Sequence, residues 1–290
     1  MITNPASMTS IVPRVEAVDI AHFLAFGFVH LRGWLTADEV ATLRAEAQEA
    51  LLDGKEGSGE VMRARQIALM AATTPFSMSL LVDDPRFLDA ATALLGRPVL
   101  PMPAIATQHT GDTGWHTDRR TALPRSRLSF GHYFEPLTAS TGALRFLPAT
   151  HLLSSYEAFD RYITDHCSPS SPSVDRIGGQ AVETQPGDVI AFDSRVLHAS
   201  RGGRTRLRWV LEYCIEPETP EKIASHRDSL AEWVYLVDHP GGKRYPLYTD
   251  WAANRPQHPD RAAMIARMTQ LDLLRIPTHR ARPGGDGRAA

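Results

Sequence analysis

The sequence predicts a mainly β fold with flanking helices, a jelly roll or sandwich whose N-terminal helices pack on one sheet. Helical periodicity and a capping signature occur before Pro98, whereas short β-prone runs separated by turn residues follow it. A helical segment followed by many short strands is typical of helices packed against antiparallel sheets. The 290 residues are enough to bury the core of one large domain.

Two helices and one strand are predicted in the N-terminal part. Thr36 and Glu39 form a capping-box signature, and the apolar residues behind them recur at helical spacing, which predicts a helix over 37–53. A second helix is predicted over 84–95, because a proline stands in its first turn and a glycine follows its end. The run FGFVHLR at 26–32 predicts a short strand.

The strands of the predicted sheets come after these helices. Turns that contain glycine, such as TASTG, QPGD and RGGR, separate many of them. The β-prone runs cover 98–109, 127–137, 142–151, 180–184, 188–192 and 206–218.

We expect a single domain over 1–280. It consists of a helical N-terminal part at about 17–97, a jelly-roll core at about 98–216 and a C-terminal extension at 217–280. The glycine- and arginine-rich residues 281–290 are predicted to be a disordered tail. The serine- and proline-rich stretch 167–173 is predicted to be a mobile loop, placed where a lid over a site would be useful.

Charge and cysteine content exclude several classes of protein. The formal net charge is −2, with lysine and arginine scattered along the chain, so neither a nucleic-acid face nor a membrane-seeking surface is predicted. Cys167 and Cys214 do not suggest a disulfide framework, and no signal peptide or membrane-length apolar run is found, which predicts a cytoplasmic protein. We expect a small molecule as partner; the sequence leaves monomer and homodimer open.

Two distant segments carry residues that bind metal ions. His116 and Asp118 stand two apart in GWHTD, so in an extended segment both side chains point to the same face. His198 ends the segment GDVIAFDSRVLH, which contains a turn and a buried strand. Two imidazoles and one carboxylate can occupy one face of an octahedral ion and leave the other positions open, which is the pattern of non-haem Fe(II) oxygenases. The sequence therefore predicts an iron site.

A hydroxyl group and several arginines follow the distal histidine. Ser200 comes first, and Arg204, Arg206 and Arg208 stand at the head of an apolar strand. In that strand the arginines alternate with Leu207 and other apolar residues, so the polar face is predicted to line the interior and the apolar face to pack on the N-terminal helices. Arginine holds a carboxylate through two parallel hydrogen bonds. Arg206 and Arg208 share one face, which leaves the choice between them open; we prefer Arg206 and place Arg204 in the turn.

Other candidate residues have simpler explanations. Arg119 and Arg120 follow the metal motif and are predicted to be solvated, with contact to an anionic substrate as the alternative. Tyr133 could face the cavity or be a core residue, and His132 is predicted to be structural. Trp251 could cover the substrate entrance or form a dimer contact.

Four segments carry a family resemblance: FLAFGFVHLRGWLTADEVATLRAEA, GWHTD, TGALRFLPATH and GDVIAFDSRVLHAS. Together they resemble the phytanoyl-CoA dioxygenase family of Fe(II)- and 2-oxoglutarate-dependent oxygenases, over about 17–216. The third segment departs from the family pattern, because Ala149 and Thr150 stand where glycine and serine are usual. The co-substrate arginine of the family usually lies slightly farther from the distal histidine than Arg206 does, so the turn here is shorter.

The resemblance implies a double-stranded β-helix of the jelly-roll type and a set of site residues. It implies that iron is bound by His116, Asp118 and His198. It also implies that 2-oxoglutarate is held by Arg206 and Ser200, with Arg208 as the alternative arginine and Gln108 as a further polar contact. O2 and 2-oxoglutarate would be converted to succinate and CO2. Related halogenases have a small residue in place of the carboxylate, so Asp118 favours hydroxylation, desaturation or ring closure over halogenation.

Two other classes of function are compatible with parts of the pattern. A zinc hydrolase could use the same three residues, but the chain has no HExxH motif and no obvious general base beside the ligands. A non-catalytic jelly-roll protein that binds a small molecule would have no need of the complete triad. Succinate formation that depends on Fe(II) distinguishes the oxygenase from both alternatives.

Overall fold

Two antiparallel sheets form the centre of the molecule. The structure is a computed structural model, and it describes residues 12–54, 65–70, 75–82, 84–102, 104–118, 125–166, 177–237 and 259–274. Its helices are α1 Ala17–Phe26, α2 Ala37–Gly54, α3 Pro75–Val82, α4 Pro85–Leu95, α5 Leu153–His166, α6 Pro220–Val237 and α7 Pro259–Gln270. Its strands are β1 Phe28–Leu31, β2 Arg65–Met70, β3 Val99–Pro101, β4 Ala104–His109, β5 Thr113–His116, β6 Arg127–Tyr133, β7 Leu144–Phe146, β8 Gln180–Val182, β9 Val189–Asp193, β10 His198–Ser200 and β11 Arg206–Ile215.

The two sheets pack as a sandwich. The larger sheet has the order β1-β9-β6-β11-β4-β2, with β3 also paired to β11, and the smaller sheet has the order β5-β10-β7-β8. Phe28 from the larger sheet stacks on Phe146 from the smaller one, with ring centroids 4.4 Å apart. Phe192 and Val182 belong to the same buried cluster between the sheets. This arrangement confirms the predicted jelly roll.

The outer face of the larger sheet is covered by the N-terminal helices, as predicted. On β11 the residues Trp209 and Tyr213 are fully buried. The Trp209 indole N–H donates to Ser77 Oγ at 2.8 Å, and the Tyr213 hydroxyl donates to the Leu81 carbonyl at 2.7 Å. Both acceptors lie on α3, so the apolar face of β11 is attached to this helix by packing and by hydrogen bonds. The alternation of polar and apolar residues along β11 therefore places its polar side chains on the inner face.

Replacement of Trp209 by alanine is expected to destabilise the fold by about 3–5 kcal/mol. The indole is fully buried, lies edge-to-face with Phe87 at 5.7 Å, and satisfies the Ser77 hydroxyl. Chemical denaturation of the purified protein measures the loss. The control is Val18→Ala, because Val18 is 69% exposed and its truncation is expected to cost less than about 0.5 kcal/mol. Equal effects of the two substitutions would contradict the role assigned to Trp209.

The predicted N-terminal elements are confirmed, and additional elements are found. The Thr36 N–H donates to Glu39 Oε2 at 2.8 Å, and the Glu39 N–H donates to Thr36 Oγ1 at 3.3 Å, which is the capping box at the start of α2. Helix α4 begins after the N-cap Asp84 and ends at Gly96 in the left-handed conformation. Strand β1 lies where a strand was predicted. Helices α1 and α3 and strand β2 were not predicted.

The C-terminal helices contribute to the same core as the N-terminal ones. Leu230 of α6, Met268 of α7 and Leu273 are fully buried in the cluster that contains the outer face of the larger sheet. Among the described helices, none has the length and apolar character that crossing a bilayer requires. The predictions for Arg119, Arg120, Trp251, the 167–173 loop and the 281–290 tail fall outside the described residues.

Candidate active site

The three predicted metal ligands meet at the end of the smaller sheet. Strands β5 and β10 are antiparallel neighbours, and their register places His198 directly opposite His116, with ring centroids 4.2 Å apart. Asp118 follows the end of β5, and its Oδ1 lies 3.8 Å from His116 Nε2 and 3.7 Å from His198 Nε2. Two donors on opposite sides of one ion, each about 2.1 Å from it, would be about 4.2 Å apart. Both distances to the carboxylate are shorter, so one ion can reach Asp118 together with either imidazole, and the three ligand atoms all lie within 4.8 Å of one another.

Backbone carbonyls fix the orientation of both imidazoles. Nδ1 of His116 lies 2.8 Å from the Gly114 carbonyl, and Nδ1 of His198 lies 3.0 Å from the Val196 carbonyl. A carbonyl can only accept, so each Nδ1 carries the proton and donates it. Each Nε2 therefore keeps a lone pair, and both Nε2 atoms face Asp118. Such a hydrogen bond from the second ring nitrogen is the usual support of a metal-binding histidine.

The ligands differ in their exposure to solvent. The side chains of His116 and Asp118 are 42% and 36% exposed, whereas that of His198 is 2% exposed. His198 thus lies at the floor of the site, and the other two ligands lie at its opening. Burial lowers the pKa of His198 to about 4, so its imidazole is neutral at physiological pH and can bind a metal ion.

Thr150 fixes the chain segment that leads to His198. Its hydroxyl donates to the Leu147 carbonyl at 2.7 Å and accepts the Leu197 N–H at 2.9 Å. Ala149, the other residue that departs from the family pattern, has a φ of +67°, in the region that favours glycine. The backbone at Ala149 thus keeps a conformation suited to glycine, and Thr150 supplies a hydroxyl where serine is usual.

Arg206 lies in a narrow pocket beside the triad. It is 4% exposed; its Nη2 donates to Ser200 Oγ at 2.5 Å and its Nη1 donates to the Gly111 carbonyl at 2.9 Å. A Cβ atom at Gly203 would lie 1.5 Å from Arg206 Nη1, and one at Gly142 would lie 3.0 Å from it. Gly142 has a φ of +106°, which favours glycine, and a Cβ atom at Gly203 would also lie 2.8 Å from the Gly111 carbonyl oxygen, so a side chain at either position would disturb the surroundings of the guanidinium. No carboxylate forms an ion pair with Arg206 in the described ranges, so its charge is buried without a counterion.

Arg208 lies on the same face, one side-chain position farther along β11. Its guanidinium carbon is 5.8 Å from the centroid of the Tyr133 ring and 5.7 Å from that of Phe192. Tyr133 therefore faces the interior, where it belongs to the buried cluster between the sheets. His132 is fully buried, points to the opposite face, and contacts the Asp188 carbonyl, as expected for a structural residue.

The prediction for Gln108 requires correction. In the pairing of β4 with β11, Gln108 lies opposite Leu207, whereas His109 lies opposite Arg206 and Thr107 lies opposite Arg208. Directly opposed residues of an antiparallel pair point to the same face. Gln108 therefore faces away from the site, and the inward residues of β4 are Thr107 and His109. Neither residue was predicted from the sequence, because the register between β4 and β11 becomes known only from the fold.

The donor set fits Fe(II). Two imidazole nitrogens and one carboxylate oxygen, all within 4.8 Å of one another, form one side of a possible coordination sphere. In the part of the chain that is described, no fourth histidine, cysteine or carboxylate joins this group. The remaining positions are thus available to other ligands. The nearby uncompensated cation of Arg206 suits a ligand that also carries a negative charge.

Comparisons with known proteins agree with this geometry. Residues 23–207 match the phytanoyl-CoA dioxygenase (PhyH) family. The chain is 28% identical over 222 residues to ectoine dioxygenase of Sphingopyxis alaskensis, and the match covers 66% of this chain and 72% of that protein. The crystal structure of EctD from S. alaskensis with bound Fe is 25% identical, with a TM-score of 0.53 over 69% of this chain and 77% of that chain. The non-haem α-ketoglutarate-dependent carbocyclase SnoK from nogalamycin biosynthesis is 20% identical and has the same fold, with a TM-score of 0.54 over 73% of this chain and 90% of that chain.

The family match includes the three candidate metal ligands and Arg206, and it spans more than half of the chain. It thus covers the triad and the Arg206–Ser200 contact that the fold brings together. The chain belongs to the phytanoyl-CoA dioxygenase family, and it is an Fe(II)- and 2-oxoglutarate-dependent dioxygenase.

Proposed function

We propose that this enzyme hydroxylates an unactivated C–H bond of a small molecule and converts 2-oxoglutarate and O2 to succinate and CO2. The iron ligands in this proposal are His116, Asp118 and His198. The observation that carries it is the buried Arg206, whose charge has no carboxylate partner in the described residues and whose Nη2 contacts Ser200 beside the triad. A dicarboxylate can reach this cation at one end and the metal ligands at the other.

The length of the site, from the metal ligands to Arg206 and Ser200, supports 2-oxoglutarate as the co-substrate. Ser200 stands two residues after His198 on β10, and two residues of a strand cover about 6.7 Å. This length is comparable to a five-carbon chain with a carboxylate at each end. The distal carboxylate is held by Arg206 and the Ser200 hydroxyl, and the proximal end faces the open side of the triad. Arg206 is preferred over Arg208 because Arg206 has the serine contact.

Each residue of the site has a defined task. The bound Fe(II) supplies the activation of O2 for substrate oxidation. The carbonyls of Gly114 and Val196 keep both imidazoles in the tautomer that can bind the metal. Asp118 supplies the negative charge of the triad and occupies the position at which a halide would otherwise bind. Hydroxylation is therefore proposed in preference to halogenation.

The proposal predicts slow succinate formation without any added substrate. Purified protein is incubated aerobically with Fe(II) and 2-oxoglutarate, and succinate and O2 are measured. We expect succinate to appear only when both Fe(II) and 2-oxoglutarate are present, and a chelator to stop its formation. A candidate substrate that is hydroxylated gains the mass of one oxygen atom, whereas desaturation or ring closure removes two hydrogens. Tightly retained zinc without O2 consumption would contradict the proposal.

A further inference from the structure

Arg208 presents a second cation to the interior of the sandwich. It stands opposite Tyr133 on β6 and opposite Thr107 on β4, in the middle of the larger sheet. A Cβ atom at Gly131 would lie 3.2 Å from Arg208 Nε and 3.3 Å from Nη2. The guanidinium thus lies against the backbone of β6, at a position where glycine leaves room for it. The rings of Tyr133 and Phe192 border it.

No protein group neutralises this cation directly. Nε of Arg208 is buried and has no hydrogen-bond partner, and the guanidinium forms no hydrogen bond or ion pair with any residue that the structure describes. Arginine has five N–H donors, and a burial that leaves them unpaired costs free energy. The half-buried guanidinium thus keeps a buried Nε–H donor without an acceptor, which is the arrangement expected of a binding site for an anion.

An interior carboxylate on the same strand face has other direct partners. Glu212 lies two same-face positions along β11 from Arg208; its Oε1 accepts from Ser129 Oγ at 3.2 Å, and its Oε2 is 3.7 Å from Arg127 Nη1. Arg127 therefore forms the ion pair with Glu212, and Arg208 acts on Glu212 only through longer-range electrostatics, without a hydrogen bond or ion pair. Arg206 has its own partners in Ser200 and the Gly111 carbonyl. The two inward arginines of β11 are thus not alternatives for one task, because their guanidinium groups contact different residues.

We propose that Arg208 binds a carboxylate of the organic substrate, while Arg206 holds the co-substrate. This inference rests on the proposed function of the site. The planar fork of arginine matches a carboxylate with two parallel hydrogen bonds, and the Tyr133 and Phe192 rings give the adjoining part of the substrate an apolar wall. The substrate class is therefore a carboxylic acid that has an apolar portion next to the acid group.

The test compares acids with their amides as binding probes. Acetate, propionate, cyclohexanecarboxylate and benzoate, each beside its primary amide, are titrated by calorimetry into the Fe(II) and 2-oxoglutarate complex under nitrogen. With wild-type protein we expect at least one acid to bind about tenfold or more tightly than its amide, as a charge-assisted hydrogen bond implies. Arg208→Gln is expected to abolish this preference and to change the 2-oxoglutarate affinity by less than about twofold.

Two further variants test the position of the Arg208 guanidinium and the specificity of the effect for this arginine. Gly131→Ala keeps Arg208 but crowds its Nε and Nη2, so we expect weaker acid binding with unchanged 2-oxoglutarate binding. Arg32→Gln removes an exposed arginine outside the site and should leave both affinities unchanged. The proposal is overturned if no acid is preferred over its amide, or if Arg208→Gln weakens 2-oxoglutarate binding as Arg206→Gln does. If 2-oxoglutarate does not bind to wild-type protein, the proposed function itself is wrong.

Discussion

Replacement of Asp118 by alanine is expected to weaken Fe(II) binding by more than about 100-fold and to abolish the conversion of 2-oxoglutarate. Loss of a group that merely orients a ligand costs about 10- to 100-fold in metal affinity, so loss of the ligand itself should cost more. Asp118 is the only anionic member of the triad, and its Oδ1 lies within 3.8 Å of both Nε2 atoms. Calorimetric titration with Fe(II) under nitrogen gives the affinity, and succinate release gives the turnover.

A matched variant tests whether the loss of Fe(II) binding and turnover in Asp118→Ala is specific to the metal site. Glu49→Ala removes an exposed carboxylate on α2 and is expected to leave Fe(II) affinity and turnover unchanged. The Asp118 side chain is 36% exposed, so Asp118→Ala should leave the stability of the metal-free protein close to that of the wild type. An Asp118→Ala protein that still binds Fe(II) with wild-type affinity would show that the metal lies elsewhere.

The candidate metal ligands could be singled out from the sequence because their signals are local. His116 and Asp118 are two residues apart, and the apolar run of β9 followed by a turn leads directly to His198. The alternation along β11 likewise indicates which of its residues face inward. A prediction of this kind needs only the pattern within one segment. The pairing of His198 with His116 across two strands then follows from the fold.

Features that depend on the pairing of distant segments were not predictable. Strand β2, RQIALM, consists mostly of residues that favour helix, and it becomes a strand through its pairing with β4. The face of Gln108 depends on the register between β4 and β11, and a shift of one residue would reverse it. Arg206 and Arg208 share a face, so only their contacts distinguish them: Ser200 on the smaller sheet for the first, and Tyr133 and Phe192 on neighbouring strands of the larger sheet for the second.

Replacement of Arg206 by glutamine is expected to raise the dissociation constant of 2-oxoglutarate by about 30-fold or more. Truncation of one partner of a buried charged pair costs about 2–5 kcal/mol, and 1.4 kcal/mol corresponds to a tenfold change. Arg206 is 4% exposed and forms the charged end of the pocket, with Ser200 as its partner. Calorimetric titration of the Fe(II)-loaded protein under nitrogen measures the dissociation constant, and the KM for 2-oxoglutarate in succinate release should increase in parallel.

Three other arginine variants serve as controls for this prediction. Arg206→Lys keeps the charge but loses the planar fork, so its effect should lie between those of wild type and Arg206→Gln. Arg32→Gln should leave the dissociation constant of 2-oxoglutarate unchanged, since Arg32 is exposed outside the pocket. If Arg206→Gln leaves that constant unchanged while Arg208→Gln raises it, the neighbour holds the co-substrate. The Ser200 contact would then serve only to fix the turn between β10 and β11.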